Sequence, residues 1–67
     1  MKVYIKNLYE IKDGRKAYYR NQGIGCFDFV NDKKFASELT QEEANKVVEH
    51  SEWYKKMYNA DEMGIED

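Results

Sequence analysis

The sequence predicts an α+β domain in which a three-stranded antiparallel meander is followed by one long C-terminal helix, in the order β-β-β-α. Three observations indicate this class. Apolar residues alternate along the first part of the chain, glycine-containing turn signals separate the alternating segments, and a helical repeat begins after Thr40. At 67 residues the chain is predicted to form one domain, which we place at residues 1–60.

The first strand is predicted at residues 1–12, because apolar side chains fall at every second position on one face. An Asp-Gly dipeptide follows at residues 13–14. Of all dipeptides this one most readily supplies the positive φ angles of a type I′ hairpin turn. A two-residue turn there would place Tyr9 opposite Tyr18.

The second strand is predicted at residues 15–20 and the third at Cys26–Val30. Gly23 and Gly25 lie between them in a Gly-x-Gly arrangement that also occurs in phosphate-binding loops. No helix start and no Lys-Ser/Thr pair follows, so the glycines indicate a hairpin turn.

One helix is predicted at residues 41–58. Thr40 and Glu43 have the spacing of a capping box, in which each side chain accepts a hydrogen bond from the backbone of the other. Residues 61–67 are acidic and short, which predicts a frayed C-terminal tail. The helix face expected to cover the sheet consists of Ala44, Val47, Val48, Ser51, Tyr54 and Tyr58.

Charge is distributed unevenly along the chain. Residues 1–34 contain eight Lys or Arg and four Asp or Glu, a net charge of +4, whereas residues 35–67 contain three and nine, a net charge of −6. The sequence therefore predicts a basic sheet and an acidic helix within one small body.

Trp53 is the anomaly of the predicted helix, because a straight helix points it away from the face that carries Ala44. An exposed Trp beside Met57 is typical of an anchor at a protein interface. In a second interpretation the helix breaks near residues 50–51 and Trp53 turns into the core. In a third, a homodimer buries Trp53 against its copy, which would suit a chain with so small a core.

The acidic residues around this anchor predict a partner-binding surface with electrostatic complementarity to a basic groove on a partner protein. A solvated helix face and a solubilising tail are the alternative explanation of the same residues. The predicted partner-binding residues are Glu42, Glu49, Glu52, Trp53, Met57, Asp61 and Glu62.

An alternative function is binding of single-stranded nucleic acid or a nucleotide by the Tyr- and Lys-rich hairpin, since bases stack on aromatic rings while Lys and Arg contact phosphates. The residues for this alternative are Lys6, Tyr18, Tyr19 and Arg20. The overall charge of −2 speaks against nucleic acid as a partner. A further alternative is a structural role as a homo-oligomer.

Catalytic, metal and cofactor sites are not predicted. Cys26 and His50 are the only residues of their kinds, and four such ligands are the norm for a structural zinc site. We therefore expect a non-enzymatic protein without cofactor. A single cysteine, no signal-peptide pattern and no apolar run of membrane-spanning length predict a cytoplasmic protein without a membrane partner.

The segment at residues 34–44, which reads KFASELTQEEA, resembles a pattern found in small phage and prophage proteins. In these a Tyr-rich β-hairpin leads into a helix that starts with Phe or Leu, Thr, two further residues and Glu-Ala. The similarity covers roughly residues 3–48, and its motif is little more than a capping box after a meander. It implies an accessory protein of a phage or mobile element, such as the compact, acidic, non-enzymatic inhibitors of bacterial defence that include anti-CRISPR proteins. It transfers no binding residues to this chain.

Overall fold

The protein forms a four-stranded antiparallel sheet with two short helices on one face, as seen in a computed structural model that describes residues 1–67. Its elements are β1 (Lys2–Lys6), β2 (Lys16–Gly23), β3 (Cys26–Val30), α1 (Gln41–Val48), α2 (Ser51–Tyr58) and β4 (Glu62–Glu66). The strand order is β3-β2-β1-β4. The class is α+β, but the predicted three-stranded meander with one long helix is wrong, since there is a fourth strand and the helix is divided. We call the sheet face under the helices the inner face and the opposite one the outer face.

The C-terminal segment is the largest correction. The frayed tail predicted at residues 61–67 is wrong, because most of this segment forms β4 and pairs with β1. The register places Ile65 opposite Val3 and Met63 opposite Ile5. These side chains cover the inner face, so the fourth strand contributes directly to the core.

Opposite charges explain how so acidic a segment can pair with the sheet. The register of β4 places Glu62 opposite Lys6 and Glu66 opposite Lys2, and opposite charges directly across two strands stabilise a sheet. Glu66 also accepts hydrogen bonds from the Nζ atoms of Lys16 at 3.1 Å and Lys33 at 2.9 Å. Part of the charge asymmetry in the sequence is therefore balanced within the fold.

The first hairpin also differs from the prediction. β1 ends at Lys6, and residues 7–15 form a long connection instead of continuing the strand to a turn at Asp13-Gly14. Tyr18 lies opposite Tyr4, so the predicted pairing with Tyr9 is wrong. The strand ends because Asn7 adopts a left-handed conformation (φ 58°, ψ 48°) that turns the chain out of the sheet.

The second hairpin agrees with the prediction in its turn and in β3, but the predicted end of the second strand at residue 20 is wrong, because β2 continues to Gly23. β3 has the predicted bounds, and Gly23 pairs with Cys26 across a tight turn. Gly25 in this turn has φ +71°, a conformation that residues with a side chain rarely adopt. The two glycines therefore form a hairpin turn, and Ile24 at its tip is fully exposed.

The helical segment begins as predicted and then divides. Thr40 and Glu43 form the capping box, with Glu43 N donating to Thr40 Oγ1 at 3.1 Å and Thr40 N donating to Glu43 Oε1 at 2.9 Å. The single helix predicted at residues 41–58 is wrong, because α1 ends at Val48 and α2 begins at Ser51. Both pieces lie on the inner face, α1 through Ala44 and α2 through Tyr54 and Tyr58.

The helices fill the inner face with two kinds of contact. Ala44 of α1 is fully buried and meets Val3. Tyr54 and Tyr58 of α2 form an aromatic cluster with β3, whose shortest centroid distance is 5.2 Å between Phe29 and Tyr58. All six side chains predicted to face the sheet are buried or half-buried, so the predicted helix face is confirmed although the single helix is not.

Candidate protein-binding surface

The outward side of α2 exposes two large apolar side chains. Trp53 is 52% exposed and Met57, one turn further along, is 60% exposed. They face solvent because their neighbours Tyr54 and Tyr58 lie against β3, and successive helical residues point ~100° apart. The helix breaks near residues 50–51, as one interpretation of the sequence required, yet the break does not bring Trp53 into the core.

Acidic side chains flank these two residues. Glu49, in the turn between the helices, is exposed and forms no ion pair. Glu52 is 90% exposed and lies 2.8 Å from Lys55, and Glu42 is 83% exposed and lies 3.9 Å from Lys46. Exposed pairs of this kind contribute little to stability, so these carboxylates remain accessible to a cationic partner. We call Glu49, Glu52, Trp53 and Met57 the helical surface.

Two of the predicted partner-binding residues lie elsewhere. Asp61 accepts hydrogen bonds from Lys12 Nζ and, at 2.7 Å, from Asn7 Nδ2, and so it fastens the connection between β1 and β2. Glu62 lies on the outer face and accepts a hydrogen bond from the Tyr4 hydroxyl at 2.5 Å, which raises the pKa of Tyr4. The fold thus gives both carboxylates structural contacts away from the helical surface.

The role of Asp61 makes its stability contribution pH-dependent. Hydrogen bonds to the charged form of Asp61 lower its pKa, and the bond from Lys12 has a larger effect than the bond from Asn7. The unfolded chain takes up this proton near pH ~4, and the folded chain does so only at lower pH. The contribution of Asp61 to folding stability is therefore complete above the pKa of the unfolded chain. It is lost as the pH falls through the lower pKa of the folded state.

Replacing Asp61 by Asn should lower the melting temperature at neutral pH and make its decline between about pH 5 and pH 2 shallower than in the wild type. Thermal unfolding followed by circular dichroism at several pH values would measure both effects. The matched control is Asp67→Asn, because the Asp67 side chain forms no ion pair. Equal pH dependence in wild type and Asp61→Asn would show that Asp61 does not fasten the connection.

The residues of the predicted nucleic-acid surface are divided between the two sides of the sheet. Tyr19 is only 9% exposed and lies in the core on the inner face, where its ring stacks on Phe27, so base stacking has no access to it. Tyr18 and Arg20 lie on the outer face, as Lys6 does. Asp28 accepts hydrogen bonds from Arg20 Nε at 2.9 Å and from Arg20 Nη2 at 2.6 Å. This bidentate pair lowers the pKa of Asp28.

A cavity of about 310 Å³ lies beside the connection between β1 and β2. Its apolar lining consists of Leu8, Tyr9, Ile11, Ala17 and Phe29. Its polar lining consists of Arg15, Lys16 and Asn31. The sequence did not predict this site, because residues 7–12 read as the continuation of a strand. The one local signal was Asn7, a residue type that tolerates a left-handed conformation.

The remaining chemistry-bearing residues form no cluster. The single cysteine and the single histidine are both exposed, and no group of three or more His, Cys, Asp or Glu side chains is placed to hold a metal ion. Neither helix has the length and apolar composition needed to cross a bilayer. Comparisons of the chain with protein-family models, with curated proteins and with solved structures find no significant match.

Proposed function

We propose that this protein is a non-enzymatic binder that docks onto a basic host protein through its helical surface. The observation that carries the proposal is the exposure of Trp53 and Met57 side by side on α2. Trp is enriched among the residues that dominate binding energy at interfaces, and Met adapts its shape to irregular contacts. A pair of this kind is expected to insert into an apolar groove of the partner.

The charges next to this pair support a partner of basic character. Between residues 38 and 57 the chain carries five Glu and three Lys, and two of these lysines are paired, with Glu42 and with Glu52. Carboxylates at the rim of an apolar contact speed and orient encounter with a positive surface, and added salt weakens this effect. A groove that binds nucleic acid has the required charge.

Inhibition is the biological consequence we attach to such docking. The resemblance of residues 34–44 to small phage and prophage proteins suggests a partner among bacterial defence effectors that bind nucleic acid, with binding in the cytoplasm of the host cell. Occupying a basic groove would block access of nucleic acid without any chemical reaction.

A photo-crosslinking amino acid at position 57 tests the proposal in host cells. We expect one adduct that disappears in the double variant Glu49→Lys/Glu52→Lys, whereas a crosslinker at the equally exposed position of Phe35 gives no such adduct. With the partner identified and purified, charge reversal should weaken binding about tenfold, and Trp53→Ala should weaken it about thirtyfold. The emission of Trp53 should shift to the blue on binding.

Two matched controls make the result specific. Phe35→Ala removes a side chain that is 59% exposed, close to the 52% of Trp53, and should leave affinity unchanged. Glu10→Lys/Asp67→Lys changes the net charge by the same amount at exposed positions outside the helical surface. Unchanged affinity in Trp53→Ala and in Glu49→Lys/Glu52→Lys would contradict the proposal. A dimer in which Trp53 is protected from quenching would assign the helical surface to self-association.

A further inference from the structure

Five of the eight residues that line the cavity beside the connection at residues 7–15 are apolar, and polar groups form the rest of its wall. Ala17 and Phe29 form its floor on the sheet, and Tyr9 and Ile11 stand at its mouth with 63% and 46% of their surface exposed. An apolar group that displaces poorly ordered water from the apolar part of this wall gains affinity.

The polar groups at this cavity are suited to an anion. No lining residue is acidic. The side chain of Arg15 is 64% exposed, and its guanidinium contacts Asp13 through Nη2 at 2.9 Å, which leaves the other guanidinium N–H groups free to donate. The side-chain amide of Asn31 forms no hydrogen bond within the protein. The Lys16 ammonium lies on the outer face with Glu66, so only the stem of Lys16 contributes to the wall.

The wall is held in an unfavourable backbone conformation. Asn7, Tyr9 and Glu10 all have left-handed φ angles, of 58°, 58° and 66°. This conformation is unfavourable for residues with a side chain, and clusters of strained residues are found at ligand-binding sites. Hydrogen bonds fix the arrangement: Asn7 Oδ1 accepts from Gly14 N at 2.7 Å, and Glu10 N donates to the carbonyl of Asn59 at 3.0 Å. The cavity is therefore preformed rather than dependent on closure.

We propose that this cavity binds a small carboxylate with an aromatic or branched aliphatic body. The apolar body lies against Ala17, Phe29 and Ile11, and the carboxylate receives N–H groups from Arg15 and the amide of Asn31. The size of the cavity, at the lower end of the range for ligand pockets, favours a small molecule over a peptide segment. The site is separate from the helical surface, so the proposal does not depend on the function proposed above.

Titration of the purified full-length chain with phenylacetate, followed by amide chemical shifts, tests this proposal. We expect saturable shifts confined to residues 8–17 and 29–31. Phenylacetamide, which has the same body and no charge, should bind at least tenfold more weakly, since hydrogen bonds to a charged group are roughly twice as strong as neutral ones.

Two exposed substitutions separate the roles of the polar and apolar groups. Arg15→Gln should weaken phenylacetate about tenfold and leave the weak binding of phenylacetamide unchanged. Ile11→Ala should weaken both compounds several-fold. Lys34→Gln, which removes an exposed charge beside Asp32, is the matched control and should alter neither. Each variant is expected to fold, because all three side chains are exposed.

The possible results lead to distinct conclusions. Saturable binding of phenylacetate that depends on Arg15 supports the proposal. Absence of saturable binding by the folded wild type up to the solubility limit would overturn it, as would equal binding of phenylacetate and phenylacetamide. Tighter binding of a short peptide that ends in Phe would overturn the small-molecule proposal and identify the ligand as a peptide C-terminus. None of these measurements requires the protein partner.

Discussion

Removal of residues 62–67 is expected to unfold the domain. These residues include β4, whose Met63 and Ile65 cover the inner face beside Val3 and Ile5. Burial of two such side chains is worth up to ~3–6 kcal/mol. Natural domains gain ~0.05–0.15 kcal/mol per residue, or ~3–10 kcal/mol for a chain of this size. The loss therefore approaches the whole stability of the protein, and the circular dichroism of the shortened chain should show no cooperative thermal transition.

The matched control is a chain that lacks only Asp67, which lies beyond the last strand. Removing Asp67 should lower the melting temperature little, because it leaves every β1–β4 pair in place. A chain ending at Asp61 that melts at the wild-type temperature would contradict the four-stranded sheet. That result would instead indicate that residues 62–67 form the frayed acidic tail predicted from composition.

The features that the sequence predicted correctly depend on short-range chemistry. The capping box requires only Thr40 and Glu43, three residues apart, and both hydrogen bonds are present. The turn between β2 and β3 requires only the positive φ that Gly25 supplies. Cys26–Val30 alternates between faces without an interruption and has the predicted bounds. In each case the neighbours along the chain determine the structure.

The features that the sequence did not predict depend on contacts between distant parts of the chain. In isolation Glu62–Glu66 is acidic and short, and it becomes a strand by pairing with β1, while Lys16 and Lys33 bind Glu66 and Tyr4 binds Glu62. The division of the helix was foreseen only as one of several interpretations, because helical periodicity continues through residues 41–58 and does not by itself mark the break before Ser51. The long connection at residues 7–15 was not predicted because two local signals compete there. The Asp-Gly turn signal predicted a tight hairpin, but the left-handed turn at Asn7 ends the strand first.

The candidate helical surface was predicted in part. Helical periodicity alone places Trp53 and Met57 opposite the buried face, and both are exposed. Asp61 and Glu62 were grouped with them because they follow α2 in sequence. The chain turns at Asn59, which has a left-handed conformation, and enters β4, so proximity in sequence does not bring these carboxylates to the same surface.

Substitution of Ile5 by Ala is expected to produce the largest effect of any single replacement that keeps the backbone intact. Ile5 is fully buried at the centre of β1, between Ala17 of β2 and Met63 of β4. Truncating a buried Ile to Ala costs ~2–5 kcal/mol, which combines lost burial with the cavity left behind. Against a total of ~3–10 kcal/mol, this change should leave a marginally folded protein. Chemical denaturation would show a large fall in the midpoint.

Ile24→Ala provides the same chemical change at a position that is fully exposed at the tip of the β2–β3 turn. Its effect on the free energy of unfolding should stay within ~0.5 kcal/mol, as is usual for surface positions. The difference between the two Ile→Ala variants therefore separates the effect of the buried position in β1 from that of the chemical change itself. Equal midpoints for the two variants would mean that β1 is not the central strand of the core. In that case the pairing of β4 with β1 would also be wrong. The exposure of the helical surface would be wrong too, because it follows from how α2 lies on this sheet.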